Sequence, residues 1–188
     1  MKLKYIEINN SNIDLAARVQ YKIFPYSAAY IKYLNKPTNT LQIDYLIYLG
    51  SKPIGVVGLY ELEKYKDDIW LSWFGLLKEY RFKGYGSQIL KDIMKMAKKY
   101  NKKFLRLYTY EVWNKSAQNF YKKHADLEEY YKNKFDCQYD IKEGICKIFS
   151  FSLSGEMPPL WNNKFINLEE DDKLHEESVK LMKKNGLL

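Results

Sequence analysis

Polar and apolar residues alternate through Met1-Lys2-Leu3-Lys4-Tyr5-Ile6-Glu7, which predicts a strand over residues 2–8. Helical spacing follows from Ile13 to Phe24, with Asn12 or Asp14 near its start and Pro25 to end it. A second, short helix is expected from Ser27 to Asn35, closed before Pro37. Residues 41–49 and 54–62 are apolar and β-rich, joined by the turn-like tetrapeptide Gly50-Ser51-Lys52-Pro53, and predict a hairpin. A polar turn, Lys64 to Asp68, leads into residues 69–77. That run is apolar on both alternating sets, Ile69, Leu71, Trp73 and Trp70, Phe74, Leu76, so burial on both faces makes it a central strand. The helix 86–100 carries Ile89, Leu90, Ile93, Met94 and Ala97 at core spacing and Lys91, Lys95, Lys98 and Lys99 on its wet side. Phe104 to Tyr110 reads as a strand, 115–124 as a helix, and 127–139 with 145–153 as an antiparallel pair across Lys142-Glu143-Gly144.

This order of elements gives an α/β or α+β sandwich around a mostly antiparallel sheet. The tail differs in texture. Pro158-Pro159 breaks regular structure, Trp161 is expected to anchor the segment, and 169–182 reads as a helix with Leu174 and Leu181 on one side. The expected division is one domain over 1–153 and an appendage over 154–188.

The segment Arg81-Phe82-Lys83-Gly84-Tyr85-Gly86-Ser87 joins the central strand to the first turn of the helix 86–100. A helix start leaves backbone N–H groups without partners and carries partial positive charge, so it attracts anions. Gly84 and Gly86 allow close approach of a ligand to the backbone, and Arg81 and Lys83 add full charge. A plain loop and helix cap is the competing reading. Two phosphate motifs are excluded: Ser-Gln-Ile-Leu after Gly86 is no Walker loop, and Ile89 stands where a dinucleotide fingerprint has its third glycine.

Some thirty residues on, Asn114-Lys115-Ser116-Ala117-Gln118-Asn119-Phe120-Tyr121 follows another strand-like run. Together the two segments resemble the GNAT superfamily of N-acetyltransferases over roughly residues 40 to 130. Arg81, Gly84 and Gly86 match its Arg/Gln-x-x-Gly-x-Gly/Ala motif; Asn114, Ala117, Phe120 and Tyr121 match its Asn-x-x-Ala-x-x-Phe/Tyr-Tyr motif. The resemblance implies a mixed, mostly antiparallel sheet with a parallel pair, 69–77 and 103–110, that splays apart around the acyl chain. It implies that the loop 81–87 holds the pyrophosphate of acetyl-coenzyme A, with Asn114 also at the coenzyme, and that strand backbone at Phe74, Gly75 and Leu76 binds the pantetheine. It implies that Tyr121 protonates the departing thiolate. Glu61, near the end of the strand before the central one, and Glu111, three residues before Asn114, are the candidate bases. Some members place a base glutamate where this chain has Thr109, and a water chain or an amine bound already neutral is the alternative to a base. Where the family often has Gly-Phe after the second motif, this chain reads His124-Ala125-Asp126-Leu127, which points to a shifted helix end.

Composition limits the alternatives. The chain has 188 residues, enough for one domain with a full core. Its net charge is +8, supplied almost wholly by lysine, since Arg18, Arg81 and Arg106 are the only arginines. A basic nucleic-acid-binding module stays open as a third reading, but no long basic run or recognition motif favours it. A positive surface also suits coenzyme A, whose phosphates carry on the order of −4. Cys137, Cys146, His124 and His175 have no metal-ligand spacing, so no metal is expected. Sparse cysteine points to a reduced, cytoplasmic protein. The start is not that of a signal peptide, and no apolar stretch is long enough to span a membrane.

Acetyl transfer to a primary amine poses two proton problems: freeing the amine at neutral pH costs about 4 kcal/mol, and the thiolate must be protonated. The acceptor is expected near the helices 13–35, the loop 63–68, the last hairpin and the tail, where Tyr26, Tyr30, Tyr33, Trp70, Trp73 and Trp113 are the aromatic candidates for its pocket or for core. A small amine or amino acid derivative leads. A protein lysine or N-terminal amine, and an acyl-coenzyme A-binding protein without transfer activity, stay open, as does a homodimer.

Overall fold

Among the described residues, the periods read along the chain become elements of the matching kind. The structure, a computed structural model, describes residues 2–25, 27–35, 40–111, 116–130, 145–162 and 172–188. The strands are β1 (Leu3–Glu7), β2 (Gln42–Leu49), β3 (Lys52–Tyr60), β4 (Asp68–Leu76), β5 (Phe104–Glu111), β6 (Leu127–Tyr130) and β7 (Ile145–Ser152). The helices are α1 (Ile13–Ile23), α2 (Ala29–Leu34), α3 (Tyr85–Lys98), α4 (Ser116–Lys122) and α5 (Asp172–Lys184). Among the described residues the sheet has seven strands, in the order β1-β2-β3-β4-β5-β7-β6. Its β4–β5 ladder is parallel, and the β1–β2, β2–β3, β5–β7 and β7–β6 ladders are antiparallel. The turn Lys142-Glu143-Gly144, and the part of the expected strand 127–139 beyond Tyr130, lie outside the described residues.

Two compact units divide the chain. The first comprises 1–61, 71–93 and 167–188, the second 62–70 and 94–166. In the first unit β2 and β3 form the expected hairpin, but its turn is shorter than the tetrapeptide suggested. Leu49 pairs with Lys52, so Gly50 and Ser51 alone make the loop, and Gly50 takes φ 64°. A glycine at positive φ allows a two-residue turn, which frees Lys52 and Pro53 to open β3. Asn12 precedes α1 without capping it by a side-chain bond. Its amide instead donates to Glu7 O (2.9 Å) and its carbonyl accepts Asn9 N–H (2.9 Å), which fastens the turn after β1.

The core of this unit is built from Ile13, Ala16, Ala17 and Val19 of α1, Tyr30 and Tyr33 of α2, and Leu46 and Val56 of the hairpin. Met182 and Leu187 join it from the C-terminal segment. Polar bonds follow the same path: Asn185 Nδ2 donates to Tyr30 Oη (2.9 Å), whose hydroxyl donates to Asp14 (3.1 Å). The carbonyl of Ser27 lies 3.3 Å from His175 Nδ1. The Tyr33 hydroxyl donates to Gln20 Oε1 (3.1 Å), and burial, then the charge of Asp44, holds its pKa well above the usual tyrosine value. The helix α3 is tied to β1 by Tyr5, whose hydroxyl donates to Asp92 Oδ2 (2.8 Å).

In the second unit β7 pairs with β5 from Phe104↔Ser152 to Glu111↔Ile145, and with β6 from Leu127↔Ser150 to Tyr130↔Lys147. A buried arginine organises this unit. The Arg106 guanidinium is 1% exposed and meets the Asp68 carboxylate through Nε. It donates to Ser150 Oγ (2.7 Å) and Pro159 O (3.0 Å), and Glu129 lies 3.9 Å away. Glu129 in turn accepts the backbone N–H groups of Trp161 (2.8 Å) and Asn162 (3.1 Å). The expected anchor is therefore real: Trp161 is fully buried, 4.9 Å from the ring of Trp70 and 4.6 Å from that of Tyr65.

Candidate functional site

The strand β4 leaves its regular path before it ends. Trp73 takes φ 40°, a left-handed backbone that a bulky residue rarely adopts. Its ring meets Phe24 edge-on at 5.5 Å, and the Lys32 ammonium lies 6.0 Å from its centre. Phe74 and Gly75 follow half-buried and Leu76 is buried. A Cβ at Gly75 would collide with Ile23 and the Phe24 ring, so the end of α1 explains why this strand position is glycine. The parallel ladder consists of Asp68↔Phe104, Ile69↔Leu105 and Trp70↔Arg106, while β4 runs on to Leu76 and β5 to Glu111.

After β4, a 3-10 turn over Lys78–Tyr80 delivers the chain to the glycine loop. Arg81 Nε donates to Leu76 O (2.8 Å), pinning the start of the loop to the strand end. This bond uses one of the five guanidinium N–H donors. Residues 81–84 are exposed, while Tyr85, Gly86 and Ser87 are half-buried. Phe82 takes φ 59° and Gly84 φ 83°, and nothing lies within 4 Å of where a Gly84 Cβ would stand. The helix α3 starts at Tyr85, with Gln88 N–H bonded to Gly84 O (3.2 Å) and no acidic residue in the first turn. The partial positive charge of a helix start without a first-turn carboxylate, flanked by Arg81 and Lys83, favours an anion.

In the second unit Tyr121 lies on α4, buried, with its ring 5.7 Å from Phe149 and 5.1 Å from Phe120. Gln118, also buried, donates to Thr109 O (3.4 Å) and so seats α4 on β5. The helix ends at Lys122. His124 and Ala125 both donate backbone N–H to Tyr121 O (2.9 Å each), and Asp126 N–H bonds Ser150 O (3.0 Å), which carries the chain into β6. His124 itself is exposed.

The remaining candidates fall in three groups. Glu61, in the first unit, follows β3 directly; its Oε1 accepts the Leu41 N–H (3.2 Å) and its own N–H bonds Leu41 O (3.0 Å). Glu111 is the last residue of β5, opposite Ile145. Asn114, Trp113 and Tyr26 lie outside the described residues. Of the other aromatic candidates, Tyr30, Tyr33 and Trp70 are core, and Trp73 is half-buried. The left-handed turn at Trp73 and the bond from Gln118 have no signal in the sequence, because both depend on neighbours supplied by the fold.

Among the described residues no group of three or more His, Cys, Asp or Glu is placed to hold a metal ion, and no helix is long and apolar enough to cross a membrane. None of the curated proteins matches this chain in sequence. Similar solved structures include an acetyltransferase of Elizabethkingia anophelis with acetyl-CoA bound, at TM-score 0.60 and 16% identity, covering 80% of this chain and 97% of that one. A spermidine N-acetyltransferase chimera from Vibrio cholerae gives TM-score 0.65 and 14% identity, over 82% and 97%. The ribosomal-protein-S18-alanine N-acetyltransferase of Escherichia coli gives 0.58 and 12%, over 88% and 100%. These likenesses establish a shared fold. The model of the acetyltransferase (GNAT) family matches residues 12–125, more than half of the chain, so this protein belongs to that family of transferases, which use acetyl-CoA.

Proposed function

We propose that this enzyme moves the acetyl group of acetyl-coenzyme A to the primary amine of a small molecule or amino acid derivative. The observation that carries the coenzyme's place is the exposed loop 81–84, which turns through two left-handed residues into the start of α3 with no carboxylate in the first turn. Backbone N–H groups of 84–87 and the cations of Arg81 and Lys83 are the pyrophosphate ligands in this reading, with the backbone of Phe74, Gly75 and Leu76 for the pantetheine and Asn114 also at the coenzyme.

In the reaction the amine nitrogen attacks the thioester carbonyl, a C–N bond forms, and the C–S bond breaks. Tyr121 donates its phenolic proton to the departing thiolate sulfur. The amine's proton leaves to a carboxylate or to solvent. Glu61 and Glu111 are the candidate bases, and the hydrogen bond from Leu41 to Glu61 gives the former a structural task as well. Pre-positioning of the two reactants supplies the rest of the rate.

A Gly84→Val variant tests the coenzyme's place. A branched residue at φ 83° is strained by about 1–3 kcal/mol, and its side chain enters the open space beside the loop. Affinity for acetyl-coenzyme A, read by calorimetry on the folded variant, is expected to drop about tenfold or more. Gly84→Asn, which tolerates left-handed backbone, separates strain from occupied space. Unchanged affinity in Gly84→Val removes the loop from the site.

The acceptor is tested with a panel of polyamines, amino acid derivatives and lysine- or N-terminus-bearing peptides, following thiol release from acetyl-coenzyme A. Turnover is expected with the small amines. Turnover with peptides alone moves the acceptor to polypeptide. Coenzyme binding with no thiol release from any amine marks a non-catalytic binder.

A further inference from the structure

Phe82 is 95% exposed, more than any other large apolar side chain described, and its backbone stands at φ 59°. A bulky aromatic residue rarely takes that conformation, and such strain persists where a function holds it. Packing does not explain it, since a ring in water gains nothing from burial. Phe82 lies two residues before Gly84, between the exposed Arg81 and Lys83.

We propose that the Phe82 ring is the platform on which the adenine of coenzyme A stacks. This deepens the reading that the loop 81–87 holds the pyrophosphate, and rests on it. Phe82 Cα is within about 8 Å of Gly84 Cα along the chain. In coenzyme A one ribose separates the base from the pyrophosphate, so the reach matches. An aromatic face accepts a base without hydrogen bonds, and Arg81 and Lys83 flank it with positive charge for the coenzyme's phosphates. The apolar ring thus needs no partner within the chain.

The test is calorimetric titration of coenzyme A and of 4′-phosphopantetheine, which lacks the adenosine, into wild type, Phe82→Ala, Phe82→Trp and Phe82→Gly, with folding checked by thermal melts. Base–aromatic stacking predicts a loss of about 5- to 100-fold in coenzyme A affinity for Ala and Gly. Tryptophan is expected to keep it, and all variants to bind 4′-phosphopantetheine as wild type does. Glycine is the decisive variant, because it relieves the backbone at φ 59° while removing the ring. Coenzyme A binding in Phe82→Gly equal to or tighter than wild type overturns the proposal, as does an equal loss for both ligands. A change of sedimentation in Phe82→Ala with coenzyme A affinity intact also overturns it, and assigns the ring to contact with a second copy. Wild type that fails to bind coenzyme A at all removes the parent reading instead.

Discussion

Replacing Tyr121 by phenylalanine is expected to lower kcat by about 10²- to 10⁴-fold, the usual worth of a positioned proton donor. The substitution keeps the ring that packs on Phe149 and Phe120 and deletes only the hydroxyl. Affinity for acetyl-coenzyme A should stay near wild type, because a group that acts on the leaving thiolate contributes mainly in the transition state. Steady-state kinetics of both proteins, with the best amine of the panel and across a range of pH, is the measurement. A range is needed because a slow step elsewhere masks the effect at a single pH. Wild-type kcat in the variant at every pH would show that Tyr121 only fills the core beside Phe149. Proximity would then be the main source of rate.

Arg106→Ala is expected to destabilise the protein by about 3–5 kcal/mol, the cost of leaving a buried charge without its partner. At roughly 2–4 °C per kcal/mol for a chain of this size, the melting temperature falls by about 10 °C. Asp68 and Glu129 lose their shared cation, and Ser150 Oγ and Pro159 O lose a donor. The segment around Trp161, held partly through Glu129, should loosen first. Differential scanning calorimetry gives the stability. Adding Asp68→Asn and Glu129→Gln to Arg106→Ala should recover part of the loss, since the carboxylates then need no counter-charge. A melting temperature within a degree or two of wild type in Arg106→Ala would mean that water or a relaxed Asp68 replaces the guanidinium.

Much of the architecture was legible in one dimension because its causes are local. The alternation before Glu7, the two apolar sets of 69–77 and the core spacing of Ile89, Leu90, Ile93 and Ala97 each predict an element that the fold contains within a few residues. The glycine loop was legible for the same reason: strand end, left-handed residues and helix start are consecutive, so Arg81 to Ser87 lie together whatever the rest of the chain does.

Sequence alone carried the order and kind of elements, and a pair of motifs whose resemblance to the GNAT family implies acetyl-coenzyme A. The rest came from long-range packing. It decided that Met182 and Leu187, far along the chain, complete a core with α1 and α2. It decided that Gly75 is required by Ile23 and Phe24, that Trp73 turns left-handed, and that Glu61 bonds to Leu41. It placed one of the three arginines at the centre of a buried network, where the sequence showed only a basic residue in a strand. The physical reason is common to all of these. Periodicity and turn chemistry act between neighbours in sequence, whereas close approach, burial of charge and backbone strain are set by partners that only the folded chain brings into contact.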